Sequence, residues 1–156
     1  MVEEVICQSD MDIDEMFEIN QKIEGAVFSM NTALWMHRLS DRTPIIFDVT
    51  TMQPVLVPSG VKVEISILEP ELYGMGIEEK PTIFGNMVRV YSQEACICRI
   101  IRDKELIDRD IYVNAIKRYA KWNRAKNIPE LRVLADAYAV REKVDDYMEI
   151  LVNGEV

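Results

Sequence analysis

The chain has 156 residues, enough for one domain with a proper core. Hydrophobic residues make up 49% and charged residues 29%, as in ordinary globular proteins, and no apolar run approaches the ~20 residues of a membrane helix. The net charge of −9 argues against a chain that clamps nucleic acid over its whole surface, because phosphate contacts need basic groups.

Residues 2–8 alternate in polarity and read as a strand or an extended arm. Ser9 and Asp10 can cap a helix over about 11–24, with Met16, Ile19 and Ile23 on one face, stopped by Gly25. Residues 26–28 are short and extended. Ser29 is expected to cap a helix over 30–39 that buries Ala33 and Leu34, with His37 beside them. A turn at 41–44 leads to a strand over 45–51, rich in Ile, Val, Phe and Thr. Two prolines and a glycine make 53–60 a loop. Residues 61–68 set Val61, Val63, Ile65 and Ile67 against Lys62, Glu64, Ser66 and Leu68, a half-buried strand. Residues 69–81 look irregular, with a weak pairing segment at 72–77. Residues 82–84 and 87–91 flank Gly85-Asn86 and suggest a hairpin.

Everything after Ser92 reads as helix. Ser92 caps 93–102. Asp108 or Arg109 opens a helix reaching about Arg124. Asn127 caps another with Pro129 in its first turn, and a last helix spans about 141–152 before Asn153-Gly154. The expected fold is a single α+β domain: N-terminal helices, a small mixed central β-sheet, and a C-terminal helical block.

Charge is unevenly spread. Residues 1–24 hold eight acids and one base, whereas 95–127 hold nine bases and four acids. The acidic start lacks the basic and apolar regions of a secretory signal. The three cysteines, Cys7, Cys96 and Cys98, have no framework spacing, so reduced thiols and a cytoplasmic setting are expected.

The residues with chemical potential mostly read as structural. His37, the single histidine, has no nucleophile or carboxylate beside it in sequence, and a packing role fits it better than general base. Cys96 and Cys98 point to different faces of a helix and cannot comfortably share an ion, so they read as small buried residues. Asp48 and Glu64 on adjacent strands resemble the acids of a metal-dependent nuclease. The lysine expected two residues after the glutamate is replaced by Ser66, and solvent-facing strand positions explain both acids better. The acids between Asp10 and Glu18 lack calcium-loop spacing and suit a helix start. No catalytic, cofactor or metal site is expected. The strongest surface feature is the helix near 117: Lys117, Lys121 and Arg124 lie together, Arg118 is nearby, and Trp122 falls between them and the apolar face of Tyr112, Ile116, Tyr119 and Asn123. Such a stripe can hold phosphate or an acidic protein, or be a solvated face.

Two blocks, in order, carry a family resemblance. The first holds Ser29, Ala33-Leu34, His37-Arg38-Leu39-Ser40 and Phe47-Asp48-Val49-Thr50; the second runs from Phe84 to Tyr91, then Gln93-Glu94 and a helix ending Ile100-Ile101-Arg102. Together with Lys117-Arg118-Tyr119, they resemble the AbiEi family of antitoxins, from type IV toxin–antitoxin systems and bacterial abortive phage infection. The chain departs from the family at Arg38, where glycine is usual, at Ala95, where arginine is common, and at Arg99, where aspartate is common.

The resemblance implies a non-enzymatic antitoxin domain. Such a domain counteracts a nucleotidyltransferase-like toxin without forming a stable complex with it. It implies no cofactor. Weak nucleic-acid contact through the basic helix would be compatible with it. Arg89, Arg99, Arg102, Lys117, Arg118, Lys121, Trp122 and Arg124 are the candidate contact residues. Family members usually begin with a DNA-binding winged helix-turn-helix, and this chain starts where that module would end. Either this is the antitoxin domain alone, or the gene has lost its DNA-binding half. A second reading is a remnant interaction or dimerisation module of a transcriptional regulator; a third is a degenerate metal-dependent nuclease.

Overall fold

The computed structural model describes residues 14–153. The expected arm over 2–8, the Ser9-Asp10 cap, the first residues of the first helix and the glycine of the Asn153-Gly154 stop lie outside that range.

The described chain opens with α1, Glu15–Lys22. Its cap is Asp14, whose carboxylate accepts the Phe17 N–H at 3.2 Å, and Glu15 and Glu18 suit the positive end of the helix. Asp14 also ties this helix to the far hairpin, accepting the Thr82 hydroxyl and, at 2.9 Å, the Asn86 amide. Strand β1 is only Val27–Phe28, yet it is the middle of the sheet. Helix α2 spans Met30–Met36. Ser29 precedes it but makes no capping bond, which corrects the sequence expectation. Its hydroxyl accepts from Thr50 instead, at 2.7 Å. The capping is done from a neighbouring strand: Asp48 accepts the Thr32 N–H at 3.4 Å, and the Thr32 hydroxyl accepts the Asp48 N–H at 2.8 Å.

Strands β2 (Phe47–Thr51) and β3 (Val63–Ile67) come next. The region expected to be irregular is in fact ordered: Pro70–Tyr73 forms a one-turn helix, α3, with proline in its first turn, and Ile77–Pro81 forms β4. Strand β4 pairs with β5, Met87–Tyr91. The expected hairpin therefore exists, with its first arm placed earlier than the sequence suggested. Residues 82–84 belong to the turn, because the Thr82 hydroxyl accepts the Phe84 N–H and the Gly85 N–H bonds the Thr82 carbonyl.

The five strands form one mixed sheet in the order β3-β2-β1-β5-β4. Strand β1 runs antiparallel to β2 and parallel to β5, and β2 runs parallel to β3. The C-terminal block comprises α4 (Gln93–Arg102), a 3-10 turn (Lys104–Leu106), α5 (Arg109–Lys117) and its wider π continuation (Arg118–Trp122). Helices α6 (Ile128–Ala137) and α7 (Arg141–Met148) complete it, with a final π turn. The α+β class and the order of helix, sheet and helical block agree with the expectation.

Helix α4 is the pivot. Residues 94–101 are all buried, and the helix packs against α2, β5, α5, α6 and α7. Ser92 caps it by accepting the Ala95 N–H. The chain ahead of β4 lies close to its start. A Cβ on Gly76, whose φ is +78°, would come within 2.8 Å of the Ala95 Cβ, so only glycine lets the two segments meet this tightly.

Both α2 and α6 end in Schellman-type stops without glycine. Leu39 N–H bonds the Leu34 carbonyl and Arg38 N–H that of Trp35, with Arg38 at φ +63°. Val140, Ala135, Ala139 and Asp136 repeat the pattern, with Ala139 at φ +59°.

Candidate interaction face

Helix α5 is amphipathic, and the prediction from its spacing holds. Ile111, Tyr112, Ala115, Ile116 and Tyr119 are buried, while Lys117, Lys121, Trp122 and Arg124 are exposed. The buried face is fixed through Glu94 of α4, whose carboxylate accepts both the Tyr119 hydroxyl and the Asn127 N–H at 2.9 Å. At Arg118 the helix widens: Asn123 N–H bonds the Arg118 carbonyl, five residues back, at 3.0 Å. The extra residue in that turn rotates the end of the helix, and Trp122 is left 66% exposed.

The segment after the turn is held firmly. Gln93 bridges it, accepting from the Asn123 side-chain amide and donating to the Ala125 carbonyl at 3.0 Å. Ala125 N–H returns to the Asn123 side chain at 2.7 Å. Lys126 folds back onto the Ala120 carbonyl at 2.9 Å, where a cation suits the negative end of a helix. Residues 111–127 contain five bases and no acid, so this stretch of sequence is basic within an acidic chain.

The structure divides the eight candidate contact residues. Lys117, Lys121, Trp122 and Arg124 share the exposed end of α5. Arg118 lies beside them and grips Asp41 at 3.0 and 2.5 Å and donates to the Arg38 carbonyl at 3.2 Å. That hydrogen bond to Asp41 is what lowers the Asp41 carboxyl below its ordinary range. Arg99 is a correction. It is only 4% exposed, and its guanidinium bonds Asp103 at 2.8 Å, Thr50 at 3.2 Å and Ser66 at 3.0 Å. It is therefore an internal strut. Arg102 is tied to Glu69 and Asp103 and lies over the Tyr138 ring. Arg89 on β5 donates to the Ala26 carbonyl, and its backbone N–H bonds Asn20; its buried Nε has no partner among the described residues.

The other singled-out groups have structural roles. Cys96 and Cys98 are buried against different carbonyls, those of Tyr91 and Leu131. Burial raises both thiols, Cys98 to about 12. Asp48 and Glu64 lie on adjacent strands, as expected, and are direct register partners there. Asp48 is occupied by Thr32, and Ser66, where a nuclease lysine would stand, is taken by Arg99. Burial raises the Asp48 carboxyl, with the Thr32 N–H pulling it back and Glu64 adding to the rise. Among the described residues no group of three or more His, Cys, Asp or Glu side chains could hold a metal ion.

One polar pocket went unread in the sequence. It measures about 480 Å³ and is lined by His37, Glu78, Lys80, Glu94, Asn127 and Glu130 among others. His37 Nε2 lies 2.7 Å from the Tyr91 carbonyl and 3.7 Å from Glu78. The first contact makes Nε2 the protonated nitrogen of a neutral ring. Burial lowers the imidazole below its usual value and raises Glu78 and Glu130. No hydroxyl or thiol nucleophile among the described residues is bonded to the ring, so the pocket holds no nucleophile–base pair there. Its acids come from β4, α4 and α6, so sequence periodicity carried no sign of it. No described helix is long and apolar enough to cross a membrane. No known family's sequence profile matches the chain, and no curated protein matches it.

Proposed function

We propose that this chain is an AbiEi-like antitoxin domain that counteracts a nucleotidyltransferase-like toxin and is itself no enzyme. The observation carrying the reading is Arg38. The family resemblance places glycine there, and the backbone at that position has φ +63°, the left-handed conformation that glycine supplies most cheaply. The family's preference thus matches a backbone requirement of this chain at the residue where the two sequences differ. The two blocks of the resemblance also meet in space: His37 of the first lies 2.7 Å from the backbone carbonyl of Tyr91 of the second.

The basic end of α5 is the surface through which the domain would act. The test is co-expression. A cognate nucleotidyltransferase-like toxin is induced with and without it. Rescue of growth is expected. Continued arrest with the chain folded and abundant overturns the reading.

A second reading, an association module of a regulator, has one observation in its favour: β3 lies at the edge of the sheet and pairs only with β2 among the described strands. A monomer in analytical ultracentrifugation at high concentration would remove it.

A further inference from the structure

We infer that the polar pocket beside His37 binds a small organic molecule through a primary ammonium group, held by His37, Glu94 and Glu130. The inference is independent of the antitoxin reading. It starts from two side chains that are nine-tenths buried and half used. Glu94 is 3% exposed, and one of its oxygens, Oε2, accepts both the Tyr119 hydroxyl and the Asn127 N–H. Its Oε1 has no hydrogen-bond partner among the described residues. The His37 side chain is 7% exposed. Its Nε2 is taken by the Tyr91 carbonyl, which leaves Nδ1 with an unshared lone pair. Among the described residues the one sealed side-chain atom without a partner is Arg89 Nε, so Glu94 Oε1 and His37 Nδ1 both reach solvent. The opening that both residues line is the pocket of about 480 Å³. Glu130 repeats the pattern from α6: its Oε2 accepts the Ser92 hydroxyl at 3.4 Å and its Oε1 is open. Acceptors held this deep favour a donor that reaches them.

Charge and geometry select the ligand. The pocket sets Glu78, Glu94 and Glu130 against Lys80 and Arg38, three acids to two bases, so one positive charge neutralises the lining. Burial raises Glu78 and Glu130, Glu94 adds to both, and Lys80 offsets part of the rise at Glu78. No three such side chains are grouped to hold a metal ion among the described residues, so the cation that fits is a larger, organic one. A guanidinium grips both oxygens of one carboxylate, and Glu94 and Glu130 have one oxygen each to give. An ammonium carries three single donors that turn toward separate acceptors. That is what open acceptors arriving from α4, α6 and the end of α2 require. The volume lies in the range of small-molecule sites.

His37 is the single histidine of the chain, so its ring reports on the pocket. The full chain, free of any tag and labelled with nitrogen-15, is titrated with propylamine at constant salt and about pH 8, where the amine is protonated and the imidazole neutral. The Nδ1 resonance should shift and saturate at millimolar amine, in keeping with so small a ligand. Tetramethylammonium, which has the charge but no N–H, and guanidinium should each bind about ten-fold more weakly. Glu130 is the acid to change, because Glu94 also anchors Tyr119. Glu130→Gln should weaken propylamine binding about ten-fold, whereas Glu142→Gln, an exposed acid on α7, should leave it within about two-fold. Lys80→Met removes a competing positive charge and should tighten binding about three-fold, a gain that misfolding cannot produce. Four results would overturn the inference: no saturable shift by roughly 100 mM amine; tetramethylammonium or guanidinium binding as tightly as propylamine; Glu130→Gln no weaker than Glu142→Gln; or weaker binding in a folded Lys80→Met chain. Growth rescue reads the antitoxin role separately, so either reading can fail while the other stands.

Discussion

The guanidinium of Arg99 reaches from the buried helix α4 to the hydroxyl of Thr50 in the sheet, 3.2 Å away, while Asp103 holds its other side at 2.8 Å. Ser29 and Ser66 extend the same network, so one cation links α4 to β2, β3 and the start of α2. A charge this deeply buried is tolerated only with its partners in place.

Arg99→Asp, the residue common in the family resemblance, is therefore expected to be worse than a neutral change. It sets a second carboxylate beside Asp103 and should cost roughly 3 kcal/mol or more in urea unfolding. Arg99→Met, which removes the charge and keeps the volume, should cost clearly less. Equal losses for the two would show that charge pairing is not what Arg99 contributes.

Arg38→Gly is expected to stabilise the chain by about 1 kcal/mol. The left-handed conformation costs a residue with a side chain ~1–2 kcal/mol, and glycine's greater freedom when unfolded returns part of that. The Arg38 backbone carbonyl, which accepts from Arg118, is kept by the substitution. A thermal melt that falls on Arg38→Gly would mean the arginine side chain stabilises the fold by more than its backbone costs.

The pH dependence of stability should carry a signature of His37. Burial holds its imidazole below the ordinary 6.5, so the unfolded chain takes up a proton first as pH falls. Its contribution is present above 6.5 and drains away on acidification toward the folded value. Glu78 and Glu130, raised by burial, act in the opposite sense: their contribution is present at low pH and is lost as pH rises through their folded values. Comparison with His37→Gln isolates the histidine. The stability difference between wild type and variant should be largest near pH 8 and narrow by about pH 5.5. A difference that widens on acidification would reverse the assignment.

Cys96 and Cys98 should resist alkylation in the native chain. Both are buried and their thiolates are disfavoured by that burial, and it is the thiolate that reacts. Peptide mass spectrometry after a brief iodoacetamide pulse at pH 8 should find both unmodified, and both modified in urea. Labelling of either in the folded state at the unfolded rate would mean that α4 opens readily.

The helical half of this fold was legible because its signals are local. Ser92, Asn127 and Pro129 stand where capping residues belong, and the spacing of Tyr112, Ile116 and Tyr119 marks the buried face of α5. The sheet was legible only in part. Residues 77–81 read as irregular because three of the five are charged and the last is proline; the register of β4 comes from β5, not from its own alternation. Ser29 looked like a cap because local spacing allowed it. Asp48, 16 residues from Thr32 in sequence, does the capping, and no local pattern reports a bond across that distance. Arg99 was misplaced for the same reason: an arginine on a helix reads as surface until Thr50, Ser66 and Asp103 are seen around it. The polar pocket around His37 is assembled from several separate elements, so nothing in the order of residues announced it.

Strand β1 has a consequence in time. Phe28 takes its parallel partner Val90 from a point about 60 residues further along. At a synthesis rate of ~5–20 residues per second, that partner emerges some 3–12 s later. Until then the nascent chain holds α1, α2, β2 and β3 beside an open central edge. The domain closes only when the hairpin arrives, so a ribosome that pauses before Tyr91 leaves half a sheet waiting for its other half.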